Sequence, residues 1–414
     1  MSIDRRNFMK FSALSALAFP YGSQQETPAS IAQLKPMAQQ AQPITREEYI
    51  ERQERARRYM REVGIDAVLL TGGTSLSYFA GVRWGISERM FGMILPAKGE
   101  PAYLTPAFEK GRALEQIKFG NDVRTWEEDE SPYRLAAAIL KDRGIAAGRL
   151  GVEETVQFRF VDGVAKAAPA LKVVSADPVT ARCRQVKSAH EVELLRLANR
   201  ITLRAFEAAA ATLREGMTHY ELAANISAAH DRLGAAGGAL VLFGEHSAAP
   251  HGTVAPQKLK VGDVVLLDGG CHVQGYESDV TRTVVFGEPS ERQRRVWDIV
   301  HRAQAAAQMA AHPGAACEEV DAAARKVIAD AGFGPGYKYF THRLGHGIGL
   351  DGHEWTYLVK GNQTKLEPGM AFSDEPGIYI PGEFGVRLED VMVVTPSGAE
   401  LLTGQAASIS RAFN

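Results

Sequence analysis

The sequence predicts a two-domain chain of mixed α and β structure. An α/β domain comes first, then a larger α+β domain whose helices pack on one face of a curved sheet. Three observations predict it. Short apolar runs alternate with helical patterns from about residue 45 to residue 182. From Lys187 onward, helix-start signals come in pairs, and each pair is followed by strand-like, glycine-rich sequence. The length of 414 residues, 45% of them hydrophobic, suffices for two sizeable cores.

The first segment stands apart from that fold. Asp4-Arg5-Arg6-Asn7-Phe8-Met9-Lys10 resembles the twin-arginine export signal, which has two arginines, a spacer, phenylalanine, an apolar residue and lysine. The apolar stretch Phe11 to Phe19 is too short to span a bilayer, and Ala16-Leu17-Ala18 offers a small-x-small cleavage site. Residues 1–22 are thus expected to be a signal, and the protein to be periplasmic or otherwise exported by the twin-arginine route. No cysteine follows the apolar stretch, so no stable membrane anchor is expected. Gln24 to Pro43 holds glutamines, prolines and alanines but no aromatic residue, which predicts a linker over residues 23–44 with order beginning near Thr45.

Within residues 45–182, Arg46 to Val63 carries Tyr49, Ala56, Tyr59 and Met60 at helical spacing. Ala67–Leu70, Phe91–Leu95, Ala102–Leu104 and Leu150–Val152 are strand-like, and Arg134 to Arg143 is helical. In the second domain, residues 183–414, Ser188 with Glu191 makes a capping box for a helix reaching about Leu213. Thr218 with Glu221 starts a helix ending near Gly234, and Ser290 with Gln293 one ending before Pro313. A fourth helix is expected from about Glu318 to Ala331. Strands are expected at Val264–Leu267 and Thr281–Phe286, and the chain after Gly332 is strand and glycine-rich loop.

A net charge of −2 gives no electrostatic case for nucleic acid as a partner. The three cysteines, Cys183, Cys271 and Cys317, are too scattered for a disulfide framework or a CxxC metal site. Cys271 lies near Asp268 but would be a soft ligand among hard ones, so it is expected to be a packed thiol.

The chemistry concentrates in LLDGGCHVQGYESDVTRT, THRLGHGIGLDGHE and FSDEPGIYIPGEFGVRLED. These hold Asp268, Asp279, His346, Glu375 and Glu389. Buried carboxylates repel one another and are costly to desolvate unless cations sit among them. An oxygen-rich set favours hard divalent metals, which in pairs commonly activate water for hydrolysis. Asp268 is expected at a strand end, with a return through Gly269, Gly270 and Gly275 bringing Asp279 beside it. His342, His346 and His353 lie among too many glycines for a helical HExxH site. Glu375 precedes Pro376 and so is biased to extended backbone. Arg387 and Glu389 share a strand face.

These residues resemble the pita-bread metallopeptidases: Xaa-Pro dipeptidase (prolidase), aminopeptidase P, methionine aminopeptidase and creatinase. His342 to Glu354 matches the outline HxLGHxLGLxxHD/E except at Gly352, where an apolar β-branched residue is usual. Asp-x10-Asp, Glu-Pro-Gly and Arg-x-Glu-Asp also match. The resemblance runs from Lys187 to the C-terminus, and more weakly over residues 45–182, which look like a creatinase-type N-terminal domain. It implies cleavage of Xaa-Pro bonds in small peptides with proline at the second position. It also implies a homodimer or higher homo-oligomer, and two divalent cations per chain: manganese first, with zinc or cobalt as alternatives. Asp268, Asp279 and bridging Glu389 would hold one ion; Asp279, His346, Glu375 and Glu389 the other. Glu375 would also take the proton from the bridging water. His353 matches the histidine that stabilises the tetrahedral intermediate and His251 the substrate-side histidine. Arg387 and Tyr379 match positioning residues, and His342 a histidine of the cleft.

One departure bears on specificity. Many prolidases place an arginine after the second histidine for the proline carboxylate. Here Glu354 to Lys360 holds none, and Lys360 offers a point charge, not a fork. The alternatives are a non-peptidase metal-dependent hydrolase or lyase on the same fold, and a binding module that has lost catalysis. The complete ligand set weighs against the binding module.

Overall fold

The structure is a computed structural model and describes residues 27–413; the twin-arginine segment lies outside the described residues. Six strands build the first sheet: β1 (Ala67–Thr71), β2 (Gly92–Pro96), β3 (Ala102–Pro106), β4 (Asp122–Trp126), β5 (Gly148–Val152) and β6 (Leu171–Ser175). Their spatial order is β4-β3-β2-β1-β5-β6, with β1–β2 and β2–β3 antiparallel and the other pairs parallel. Alternation along β1 divides the core. Val68 and Leu70 pack with Ala56 and Met60 of the helix Arg46–Val63, while Leu69 packs with Ile139, Leu140 and Phe160 of the helices Pro132–Asp142 and Phe158–Ala167. The result is a sheet with helices on both faces.

The second domain repeats one plan twice. The helices Ala189–Ala210 and His219–Leu233 precede β7 (Gly237–Phe243), β8 (Val264–Val273), β9 (Tyr276–Glu277) and β10 (Val280–Val285). The helices Glu291–Ala310 and Cys317–Ile328 precede β11 (Gly345–Gly347), β12 (Glu354–Leu358) and β13 (Ala371–Asp374). After β13 come β14 (Gly377–Ile380), β15 (Phe384–Arg387), β16 (Asp390–Thr395) and β17 (Gly398–Leu401). The expected capping boxes at Ser188, Thr218 and Ser290 are all formed, each offering a side-chain oxygen to the backbone N–H three residues on. The first of these helices ends at Ala210, short of Leu213.

The strand orders are β10-β8-β7 and β12-β11-β13-β16-β17. A backbone bridge between Thr281 and Glu389 joins the two halves. One apolar core runs through both: Phe206 and Ile226 from the first helix pair, Val300 and Ala303 from the second, with Val265 and Leu267 of β8 and Phe372 and Met392 of β13 and β16. Among the described residues no helix is long and apolar enough to cross a membrane.

Three expectations need correction. Part of the segment expected to be a linker, residues 23–44, is packed. Ile31 is fully buried, Ser30 Oγ donates to Ala208 O at 2.8 Å and Met37 N–H to Leu233 O at 2.8 Å. The segment lacks aromatics, but Ile31, Leu34, Met37, Ala38 and Ala41 supply an aliphatic edge that covers the helices Ala189–Ala210 and His219–Leu233. The domain boundary at 182/183 falls inside the short helix Thr180–Gln185. And Asp268 is not at a strand end, because β8 continues to Val273 and turns at Gln274-Gly275, both with positive φ. Gly270 serves close approach instead: a Cβ there would sit 1.8 Å from Ser278 O.

Candidate metal centre

The five expected ligands reach one place from strands of both halves. Asp268 lies in β8 opposite Thr281 of β10, and Asp279 immediately precedes β10. His346 is the middle residue of β11, Glu375 follows β13 and Glu389 precedes β16. The β13–β16 register pairs Asp374 with Asp390, so Glu375 and Glu389 face each other one step on. Potential ligand atoms within 4.8 Å of one another form overlapping sets: Asp268, Asp279 and Glu389; His346, Glu375 and Glu389; Asp279, His346 and His353. Glu389 is common to the first two.

Charge at this place is unbalanced. Arg387 pairs with Asp268, donates from Nη1 to Tyr379 Oη at 2.8 Å and from Nε to Thr281 Oγ1 at 3.2 Å. One guanidinium thus faces four carboxyl groups. Burial, then the charges of Glu389 and Asp268, push Asp279 well above the usual carboxylate range. Burial and Glu389 do the same to Glu375, and burial with Asp268 pushes Glu389 up to about 8. Such a site fits hard divalent cations, which supply the missing positive charge.

The imidazoles are prepared to match. Burial, then the charge of His353, lowers the His346 pKa to about 3, so the ring is neutral near pH 7. Its Nδ1 lies 3.1 Å from Gly347 O and carries the proton; Nε2 keeps its lone pair 3.4 Å from Glu375 Oε1 and 3.6 Å from Asp279 Oδ2. His342 is also neutral, its pKa lowered to about 4 by burial and then by Arg387. Its Nδ1 donates to Arg343 O at 2.8 Å, and its Nε2 accepts from Tyr379 Oη at 2.7 Å. Burial raises the Tyr379 pKa to about 12, so that hydroxyl keeps its proton. His353 stacks on His346 with ring centroids 3.7 Å apart. His251 sits on an exposed turn, and burial, then Arg343, lowers the His353 pKa.

Cys271 is a packed thiol: Sγ lies 3.5 Å from Thr202 Oγ1 and 3.4 Å from Ala198 O. The pair Arg387 and Glu389 is buried, each 2% exposed. Sequence reasoning missed Thr281, whose hydroxyl bonds to Glu389 Oε2 at 2.6 Å and Asp268 Oδ1 at 3.0 Å. It also missed Ser373, which bonds to Glu375 Oε1 at 3.2 Å and accepts from His346 N–H at 3.0 Å. Each lies two residues from an expected ligand, on the same strand face, so period-2 counting from Asp279 and Glu375 would have found both.

Residues 193–396 match metallopeptidase family M24, and residues 52–186 match the creatinase/prolidase N-terminal domain. The probable dipeptidase PepE of Mycobacterium tuberculosis is 39% identical over 344 residues, covering 82% of this chain and 90% of that protein. The chain belongs to metallopeptidase family M24. The structure of dipeptidase PepE from Mycobacterium ulcerans superposes on this M24 enzyme with a TM-score of 0.83 at 37% identity, covering 89% of this chain and 99% of the other. The Xaa-Pro dipeptidase from Bacillus anthracis gives 0.77 at 33% identity, covering 86% and 97%. The protein is therefore a metallopeptidase with a pita-bread catalytic domain behind a creatinase-type N-terminal domain, as its sequence predicted.

Proposed function

We propose that this M24 metallopeptidase hydrolyses Xaa-Pro bonds of small peptides with two divalent cations, manganese first among them. The observation that carries this reading is the cluster of Asp268, Asp279, Glu375 and Glu389 around His346, with Arg387 the single guanidinium against four carboxyl groups. Asp268, Asp279 and Glu389 would hold one ion; Asp279, His346 Nε2, Glu375 and Glu389 the other. When bound, such a pair supplies an acidified attacking water and a polarised scissile carbonyl.

The remaining steps belong to the chain's own groups. Glu375, at the edge of the cluster, would take the proton of the attacking water and pass it to the proline nitrogen as its bond to the scissile carbonyl breaks, releasing it as a secondary amine. His353 donates to the oxygen that gains negative charge at the scissile carbonyl. The chain His342–Tyr379–Arg387 holds Asp268 in register. An Xaa-Pro bond has no N–H to offer, and this chemistry requires none from the substrate.

The cation for a proline carboxylate is Arg343 rather than Lys360 in this reading. Arg343 lies over the Tyr357 ring at 4.0 Å, and its charge reaches both His346 and His353. It pairs with no carboxylate among the described residues, whereas Lys360 is exposed. This favours dipeptides. Arg343→Ala should raise KM about tenfold for an Xaa-Pro dipeptide and leave it unchanged for the corresponding Xaa-Pro amide; equal changes for both would overturn the assignment.

The decisive experiment is metal analysis of the purified protein together with rates on Xaa-Pro, Xaa-Pro-Yaa and Xaa-Ala substrates. The reading fails if chelated, metal-free protein keeps full activity, or if manganese-loaded protein cleaves no Xaa-Pro bond. Export through Arg5-Arg6 is a separate part of the proposal. Replacing both with lysine should retain the protein in the cytoplasm on cell fractionation, and an unchanged distribution would refute it.

A further inference from the structure

The loop that carries His353 is gripped from outside its own domain. Asp351 Oδ1 accepts from Thr74 Oγ1 at 2.6 Å, and Asp351 Oδ2 from Arg184 Nη2 at 2.6 Å. Glu354 accepts from the same Arg184 nitrogen at 2.5 Å and from Lys187 Nζ at 3.1 Å. Trp355 Nε1 donates to Glu154 Oε1 at 3.0 Å. Positions 351, 354 and 355, on both sides of His353, are thus held by Thr74, Glu154 and Arg184 of the N-terminal domain and by Lys187 at the junction.

Glu354 passes the grip into the loop backbone. Its Oε1 also accepts from Leu350 N–H at 2.9 Å and Asp351 N–H at 3.2 Å. Gly349 lies so close that a Cβ there would sit 2.7 Å from both Glu354 oxygens. Glu354 and Lys187 are buried at this junction and Arg184 is partly buried, so the ion pairs are screened little by solvent. The His353 ring itself is exposed on one side and rests on His346 on the other. Stacking alone does not fix its angle, so the backbone on either side must do so.

We infer that Arg184 is a positioning residue for catalysis: by clasping Asp351 and Glu354 it sets the loop Ile348–His353 so that the His353 ring faces the reacting carbonyl. The inference rests on the role proposed above for His353, and it gives the N-terminal domain a part in the chemistry without any contact with substrate. Misplacement of a donor by about 1 Å can cost on the order of 10²-fold in rate.

The test uses full-length, metal-loaded protein. Arg184→Met should lower kcat at least tenfold on an Xaa-Pro dipeptide, leave KM within twofold and leave metal content unchanged. Arg184→Lys should recover part of kcat. Hydrogen exchange of residues 348–354 should speed up in Arg184→Met, and this is read without any substrate. Asp351→Ala, at a more exposed partner, should show the same pattern more weakly and covers the case in which Arg184→Met does not fold. In a His353→Ala background the Arg184→Met loss should vanish, because the two residues act on one step. Unchanged exchange, or a loss in kcat that simply adds to that of His353→Ala, would overturn the inference. If His353→Ala alone leaves kcat unchanged, the role of His353 falls, and the exchange measurement still decides whether Arg184 holds the loop.

Discussion

The acidic cluster around Glu389 and the clasp around Glu354 both bury carboxylates, yet their charge is balanced differently. At Glu354 burial would raise the pKa, but Lys187 and Arg184 hold it down to about 2. At Glu389 burial and Asp268 act together, and the pKa rises to about 8. The buried pair Arg282–Asp390, at 2.6 Å and fully buried on both sides, resembles the clasp. A buried carboxylate with its cation in place is part of the framework. A group of them without enough cations is a site that something else completes.

Four measurements would break or sharpen that contrast. The largest effect is expected from Glu389→Ala, which removes the carboxylate shared by two ligand sets. Metal loading and peptidase activity should be lost together; an active, metal-loaded variant would show that Glu389 belongs to the framework after all.

Glu354→Ala should act on stability. It leaves Lys187 buried without its carboxylate and Arg184 with Asp351 alone, at a cost of about 3–5 kcal/mol. Denaturant unfolding would read this, and a change below about 1 kcal/mol would mean the clasp is worth no more than a surface pair.

His353→Ala should lower kcat by roughly 10²–10³ while metal content stays the same. Its ring nitrogen lies within 4.8 Å of ligand atoms of Asp279 and His346, so metal analysis is a real test: loss of an ion would make it a ligand.

The smallest effect concerns pH. In metal-free protein the folded-state pKa of Glu389 is about 8, above its ordinary value of 4.5. Protonation therefore stabilises the fold fully below about pH 4.5, and that contribution is lost as pH rises through about 8. Glu354 runs the other way: its contribution is present above about pH 4.5 and lost as pH falls through about 2. Tm of metal-free protein should fall from pH 5 to pH 8, and added manganese should reverse the trend. A Tm independent of pH and metal would remove the argument for an incomplete site.

Much of this was legible in the sequence for local reasons. Capping boxes at Ser188, Thr218 and Ser290 need only residues three apart, so the helix starts were readable from the chain. The five candidate ligands were readable because carboxylates beside glycine and proline in apolar strands have few structural uses. The packed strap at Ile31 was not, because its composition is that of a linker and only the groove on two distant helices makes it ordered.

By itself the sequence singled out the side chains that the structure gathers in one cluster, since the chemical type of a candidate ligand is a local property. The tertiary structure alone decided how they are used. It placed Glu389 opposite Glu375 through strand register, set Thr281 between Asp268 and Glu389, and brought Arg184 to Glu354 across 170 residues of chain. The groups that hold the candidate ligands in place come from distant segments, and their contacts depend on packing that no local pattern encodes.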